Sequence, residues 1–336
     1  MPIMIPNSLP AAATLAEENI FVMNETRAVT QDIRPLQILV LNLMPTKIAT
    51  ETQLSRLLGN TPLQVELELI HTDSHESKNT SREHLLKFYQ TFEDVKDRWF
   101  DGLIITGAPV EQMPFEQVEY WPELCRIMEW SRTHVHSTFH ICWGAQAALY
   151  YHYGIDKVPL PEKMFGIFPY GLTVKNHPLL RGFDDRYFIP QSRHTAVDDD
   201  AIDACKALQV LSRSVENGIN ICATKDLRRI FVLGHFEYDR YTLANEYFRD
   251  KKKNLPIDLP EFYFPDGDTT QEPVFKWRSY AHLFYMNWLN IVYQDTPYDL
   301  HELAPASGNK LDKAIGEYNK ILLQLQRMGA AIPANQ

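Results

Sequence analysis

An α/β fold is what this chain of 336 residues predicts: three layers, with a mostly parallel sheet between helices. Three observations carry the prediction. Apolar runs of strand length alternate with helix-length segments through the first half. Residues 37–43 form a continuous apolar run, the signature of a strand buried on both faces. Small or turn-forming residues close the runs: Met44-Pro45-Thr46-Lys47, Gly107-Ala108-Pro109 and Gly144-Ala145.

Taken in order, residues 1–35 read as an irregular N-terminal arm rich in Pro and Ala. Residues 37–43 form the first strand, and Ile48, Leu54, Leu57 and Leu58 give the next helix an apolar side. Residues 63–69 alternate apolar and polar, so they form a second strand. A helix is predicted over 81–97, a strand over 101–107, a helix over 115–134 and a strand ending at Cys142. This β-α-β-α-β-α-β order implies right-handed crossovers. Ligands of such sheets bind beyond the carboxyl ends of the strands, where Lys47, Gly107 and Cys142 fall.

The second half is richer in strands: 209–212, 219–223 and 230–234, with helices over 239–253 and 276–294. Residues 258–272 read as a loop, and 310–328 show helical spacing. No linker composition divides the chain. One α/β domain is expected over 36–300, with a helical tail over 301–336.

A formal charge of −10 and the lack of a long basic stripe exclude a nucleic-acid surface. No apolar run is long enough to span a membrane, and the N-terminus lacks the pattern of a signal peptide. Cys125, Cys142, Cys205 and Cys222 have neither metal-site nor disulfide-framework spacing. A reducing, cytoplasmic setting fits. His134 and His136 lack further ligands at suitable spacing, so no metal is expected.

The chemistry concentrates at two strand ends. A strand stopping at Cys142 and turning directly into Trp143-Gly144-Ala145 reads as a nucleophile elbow. The helix behind it aims free N–H groups at the sulfur, which favours a thiolate and a developing oxyanion. Trp143 N–H is the first oxyanion candidate, with the turn after Leu43 or Gly107, and Lys47, as pocket candidates. Gly234-His235-Phe236-Glu237 ends another apolar run, and on a strand His235 and Glu237 would share a face. Nucleophile, base and orienting carboxylate are the parts of covalent acyl chemistry.

Around these residues the chain resembles the homoserine O-acyltransferases of methionine biosynthesis, built on a class I glutamine-amidotransferase-like (flavodoxin-like) fold. The resemblance covers nearly the whole chain. It includes Leu41-Asn42-Leu43-Met44-Pro45, Gly107-Ala108-Pro109-Val110-Glu111, Ile141-Cys142-Trp143-Gly144-Ala145-Gln146 and Gly234-His235-Phe236-Glu237-Tyr238. It implies that Cys142 carries the acyl group, His235 is the base and Glu237 orients it. It also implies substrate contacts by Lys163, Ser192 and Arg249, and acyl-donor selection by Glu111. The implied substrates are L-homoserine and acetyl-CoA, with no other cofactor and a homodimer as the common assembly. Succinyl-CoA is the alternative donor, and glutamine amide hydrolysis the alternative reaction. His140 departs from the family pattern, and it is expected to face away from the pocket with no catalytic role.

Overall fold

The computed structural model describes residues 3–5, 9–11, 13–14, 22–24, 34–74 and 80–303. The predicted helix over 310–328 lies outside the described residues. The strands are β1 (Ile3–Ile5), β2 (Val22–Asn24), β3 (Leu36–Leu41), β4 (Val65–Ile70), β5 (Tyr89–Gln90), β6 (Phe100–Ile105), β7 (Val135–Ile141), β8 (Lys157–Leu172), β9 (Arg186–Val197), β10 (Leu208–Ser214), β11 (Gly218–Thr224) and β12 (Arg229–Val232). The helices are α1 (Lys47–Leu58), α2 (Arg82–Phe88), α3 (Phe92–Val95), α4 (Trp121–His134), α5 (Trp143–Tyr153), α6 (Asp199–Ala204), α7 (Thr242–Lys252) and α8 (Arg278–Asp295).

One sheet runs in the order β2-β1-β4-β3-β6-β7-β12-β11-β10-β8-β9, with β5 beside β4. From β2 to β12 every pairing is parallel; from β12 to β9 every pairing is antiparallel. Burying both faces of β3 and β6 demands a core on each side. Leu54 and Leu57 of α1 and Phe284 and Trp288 of α8 cover one face. Leu124 and Met128 of α4 and Ala147 and Leu149 of α5 cover the other. The three-layer α/β expectation therefore holds.

Two local expectations change, and one ribbon appears that the sequence reading did not include. Residues Ile3–Ile5 and Val22–Asn24, in the arm read as irregular, add two parallel strands to the sheet edge. The helix expected over 81–97 is broken in two. Thr91 N–H and Oγ1 both donate to Asp94, a restart signal, and between the pieces Tyr89 extends to pair with Leu69 of β4. The third difference is the β8–β9 ribbon, whose prolines and glycines hide its strand pattern from the sequence and whose register shifts between Pro159 and Met164.

Candidate active site

β7 lies between β6 and β12, buried from Ser137 onward, and ends at Ile141. Cys142 then takes φ 50° and ψ −115° at the N-cap of α5. This backbone is costly for a residue with a Cβ, so its surroundings must enforce it. They do: Cys142 N–H donates to Val232 O at 2.7 Å, and its carbonyl accepts from Ala145 N–H at 3.0 Å. Gly144 is required because any Cβ there would lie 2.6 Å from Thr106 O. The elbow therefore forms as the sequence predicts.

His235 and Glu237 come together differently from the prediction. β12 ends at Val232, so neither residue lies on a strand. The chain bends, His235 N–H donates to Pro190 O at 2.9 Å, and a turn brings the two side chains together. His235 Nδ1–H donates to Glu237 Oε1 at 2.6 Å, and both side chains are buried. Their shared-face expectation is replaced by a turn contact. That bond leaves Nε2 for Cys142, to which the imidazole is also hydrogen-bonded. The ring stacks on Tyr238 with centroids 3.9 Å apart. Burial pushes the imidazole pKa down, but the charges of Cys142 and Glu237 and the bonds to both outweigh it, holding His235 up at about 10.

These residues face a cleft of about 1540 Å³. Lys163, Ser192, Arg249 and Glu111 all line it, as expected from the resemblance. What the sequence did not single out is Glu246, around which three of them gather. Lys163 Nζ donates to Glu246 Oε1 at 2.6 Å, and Ser192 Oγ lies 2.9 Å from Oε2. Arg249 Nη2 is 3.9 Å from Oε1, while its fork holds Asp250 at 2.6 and 2.8 Å. The available signal was Glu246 one helical turn before Arg249.

One pocket candidate lies elsewhere. Lys47 does not line the cleft: its buried Nζ donates to the carbonyls of Asn42 and Met44. Burial lowers its pKa to about 8 against the opposing charge of Glu51. In the turn after Leu43, Leu43 N–H donates to Thr106 Oγ1 at 2.8 Å and Met44 N–H to Asn42 Oδ1 at 3.1 Å, while Met44, Pro45 and Thr46 line the cleft. Gly107 also lines the cleft, and a Cβ there would sit 3.3 Å from Cys142 Cβ. The Trp143 indole is buried near Phe115 and Tyr120, so only its backbone reaches toward the site. As the first residue of α5, it has no carbonyl a turn behind it to occupy its N–H.

His140 is buried, stacked on Phe231, with Nδ1 donating to Ile230 O at 3.0 Å. Phe231 belongs to the core on the opposite face from the one that includes Cys142, so His140 points away as expected. His134 stacks on Trp99 and Trp130. Among the described residues no cluster of His, Cys, Asp and Glu could hold a metal ion. No helix among them is long and apolar enough to cross a membrane.

Fold and site together define a class: a doubly wound α/β protein with a cysteine elbow facing a buried His–Glu pair. Within that class, the chain belongs to the homoserine O-succinyltransferase family, whose model matches residues 2–298. It is 61% identical over 304 residues to a homoserine O-acetyltransferase of Acetivibrio thermocellus, covering 90% of this chain and 100% of that one. A homoserine O-acetyltransferase of Clostridium novyi is 60% identical over 300 residues, covering 89% and 99%. Among solved structures, SMU.1228c shares the fold, with TM-score 0.51 and 17% identity over 77% of this chain and 100% of that one. A glutamine amidotransferase from Thermotoga maritima superposes with TM-score 0.49 and 13% identity, covering 77% and 99%.

Proposed function

We propose that this chain transfers an acetyl group from acetyl-CoA to the γ-hydroxyl of L-homoserine through a thioester on Cys142. One observation carries the reading: a strained cysteine beside a buried His–Glu pair opens onto the same cleft as a paired cation and anion, Arg249 and Glu246. An α-amino acid offers the complementary charges. Its carboxylate fits the guanidinium of Arg249, and its ammonium fits Glu246. Lys163 and Ser192 hold Glu246 in place and contact the same ligand.

His235 takes the thiol proton on Nε2, and the sulfur attacks the thioester carbon. The N–H groups of Trp143 and Gly107 receive the oxyanion. The C–S bond to CoA breaks, and CoA leaves with the proton from His235. The γ-hydroxyl of homoserine then gives its proton to Nε2 and attacks the acyl carbon. The ester forms, and the proton returns to the sulfur of Cys142 as the C–S bond breaks. Glu237 keeps Nδ1 protonated and stabilises the imidazolium throughout. No cofactor beyond the co-substrate enters this scheme. A cytoplasmic homodimer with no nucleic-acid or membrane partner completes the reading, consistent with the charge of −10.

Donor choice turns on Glu111 at the cleft rim. A succinyl group ends in a carboxylate, and like charges about 5 Å apart at an effective dielectric near 20 repel by roughly 3 kcal/mol. That is about a hundredfold preference for the neutral, shorter acetyl group. Incubation with acetyl-CoA, succinyl-CoA or glutamine, followed by the mass of the Cys142 peptide, tests the whole reading. An acetyl adduct is expected. A glutamyl adduct would assign amide hydrolysis instead. In Glu111→Gly the donor preference should move toward succinyl-CoA; an unchanged preference removes Glu111 from the account.

A further inference from the structure

Acyl-CoA brings several phosphate charges to a protein that is itself strongly acidic. Attraction must therefore be local. Among the described residues five lysine and arginine side chains line the cleft: Arg56, Lys163, Arg240, Arg249 and Arg278. Four are ion-paired, to Asp239, Glu246, Glu272 and Asp250 respectively. Arg278 has no carboxylate partner among the described residues.

Arg278 also has company of the right kind. Its guanidinium lies 5.4 Å from the Phe275 ring centre, and that of Arg240 lies 5.5 Å from the same ring. Two cations thus flank one aromatic side chain in the wall of the cleft. Arg240 is held by Glu272 at 3.3 Å, but that carboxylate is 63% exposed, so solvent weakens the pair and a phosphate can displace it. Ser279 lines the cleft beside Arg278, and both belong to the first turn of α8, where no side chain caps the backbone N–H groups. Those groups add to the positive potential that the guanidiniums create.

We propose that Arg278, with Arg240 across Phe275, binds the phosphate groups of the acyl-CoA in the cleft whose floor is Cys142. The inference rests on the acyl-transfer reading above. The planar guanidinium gives phosphate two parallel hydrogen bonds, which a lone ammonium does not. The pantetheine arm then runs along the cleft and delivers the thioester to the sulfur. Lys163, Glu246 and Arg249 stay with the amino acid. The two substrates are thereby sorted by charge: a zwitterion to the compensated cluster, a polyanion to the one in which Arg278 carries no carboxylate partner among the described residues.

The test compares two donors that carry the same acetyl thioester, acetyl-CoA and S-acetylpantetheine, which lacks every phosphate. In Arg278→Ala the KM for acetyl-CoA should rise about tenfold at low salt, and more in Arg278→Glu. The KM for homoserine and kcat/KM for S-acetylpantetheine should stay within about twofold of wild type. Raising the salt concentration should raise the wild-type KM for acetyl-CoA more steeply than that of Arg278→Ala. Equal losses with both donors would overturn the proposal, because they would mean that Arg278 acts on the fold or the thiol. An unchanged KM for acetyl-CoA would overturn it too. If wild-type Cys142 accepts acetyl from neither donor, the acyl-transfer reading itself fails, a result visible without any variant.

Discussion

The floor of the cleft, where Cys142 meets His235 and Glu237, is buried and fixed by backbone bonds to Val232 and Pro190. The wall, where Lys163, Ser192, Glu246 and Arg249 meet, is partly exposed and fixed by its own ion pairs. The floor is set before any ligand arrives, as preorganised electrostatics requires. The wall is satisfied by those internal pairs, and on the proposed reading they exchange partners with the amino acid. Damage to the floor should therefore appear in the chemical step, and damage to the wall in substrate affinity.

The sharpest break is Cys142→Ala, which should remove acyl-enzyme and turnover together, a loss of at least about four orders of magnitude. Intact-mass analysis after acetyl-CoA treatment checks it. Cys125 and Cys222 are buried, and burial pushes both thiols up, so their alanine variants should keep the chemistry. Acylation elsewhere with retained turnover would end the distinction between this cysteine and the others.

Next comes Glu237→Gln. The fold should survive, but kcat should fall by about two to four orders of magnitude, because the imidazole loses both its orientation and the stabilisation of its charged form. Without the carboxylate the His235 pKa should drop below its value of about 10, visible in a titration of the ring by NMR. Wild-type rates would make Glu237 a bystander.

On the wall, Arg249→Ala should raise the KM for homoserine by about ten- to a hundredfold while acylation of Cys142 by acetyl-CoA proceeds normally. Stopped-flow measurement of the two half-reactions separates them. If both slow equally, floor and wall are not functionally distinct.

The smallest effect lies beneath the floor. Burial, with help from His152 and Arg229, lowers the His140 pKa to about 3. An unfolded histidine titrates near 6.5. Between these values the unfolded chain binds the extra proton. The stability contributed is therefore complete above about pH 6.5 and is lost as the pH falls toward 3. Going from pH 7.5 to 5, urea unfolding of His140→Leu should lose about 2 kcal/mol less stability than wild type. Equal losses would show that His140 already carries its proton in the folded state.

The parallel half was legible because strands buried on both faces leave apolar runs, as at residues 38–41 and 103–105. The elbow was legible for a similar reason: a strand that stops at a cysteine before Gly144 has few other folds to adopt. The β8–β9 ribbon was not legible, since Pro159, Pro161, Gly166 and Pro169 interrupt its alternation. The turn that joins His235 to Glu237 escaped notice because their spacing also suits a strand. Glu246 and Arg278 were missed for another reason. On a helix a charged residue reads the same whether it meets water or a ligand, and only the cleft separates the two cases.

The seam between β7 and β12 has a consequence for how the protein is made. Cys142 depends on Val232 O for its backbone and meets the His235 imidazole, and both lie about ninety residues later in the chain. During synthesis from the N-terminus, the thiol emerges long before its partners. Until β12 slots in beside β7, that strand is an open edge and its cysteine an unassisted thiol. On the proposed mechanism, a nascent or clipped chain that stops short of β12 holds the cysteine without the histidine, and acyl capture waits for closure of the sheet.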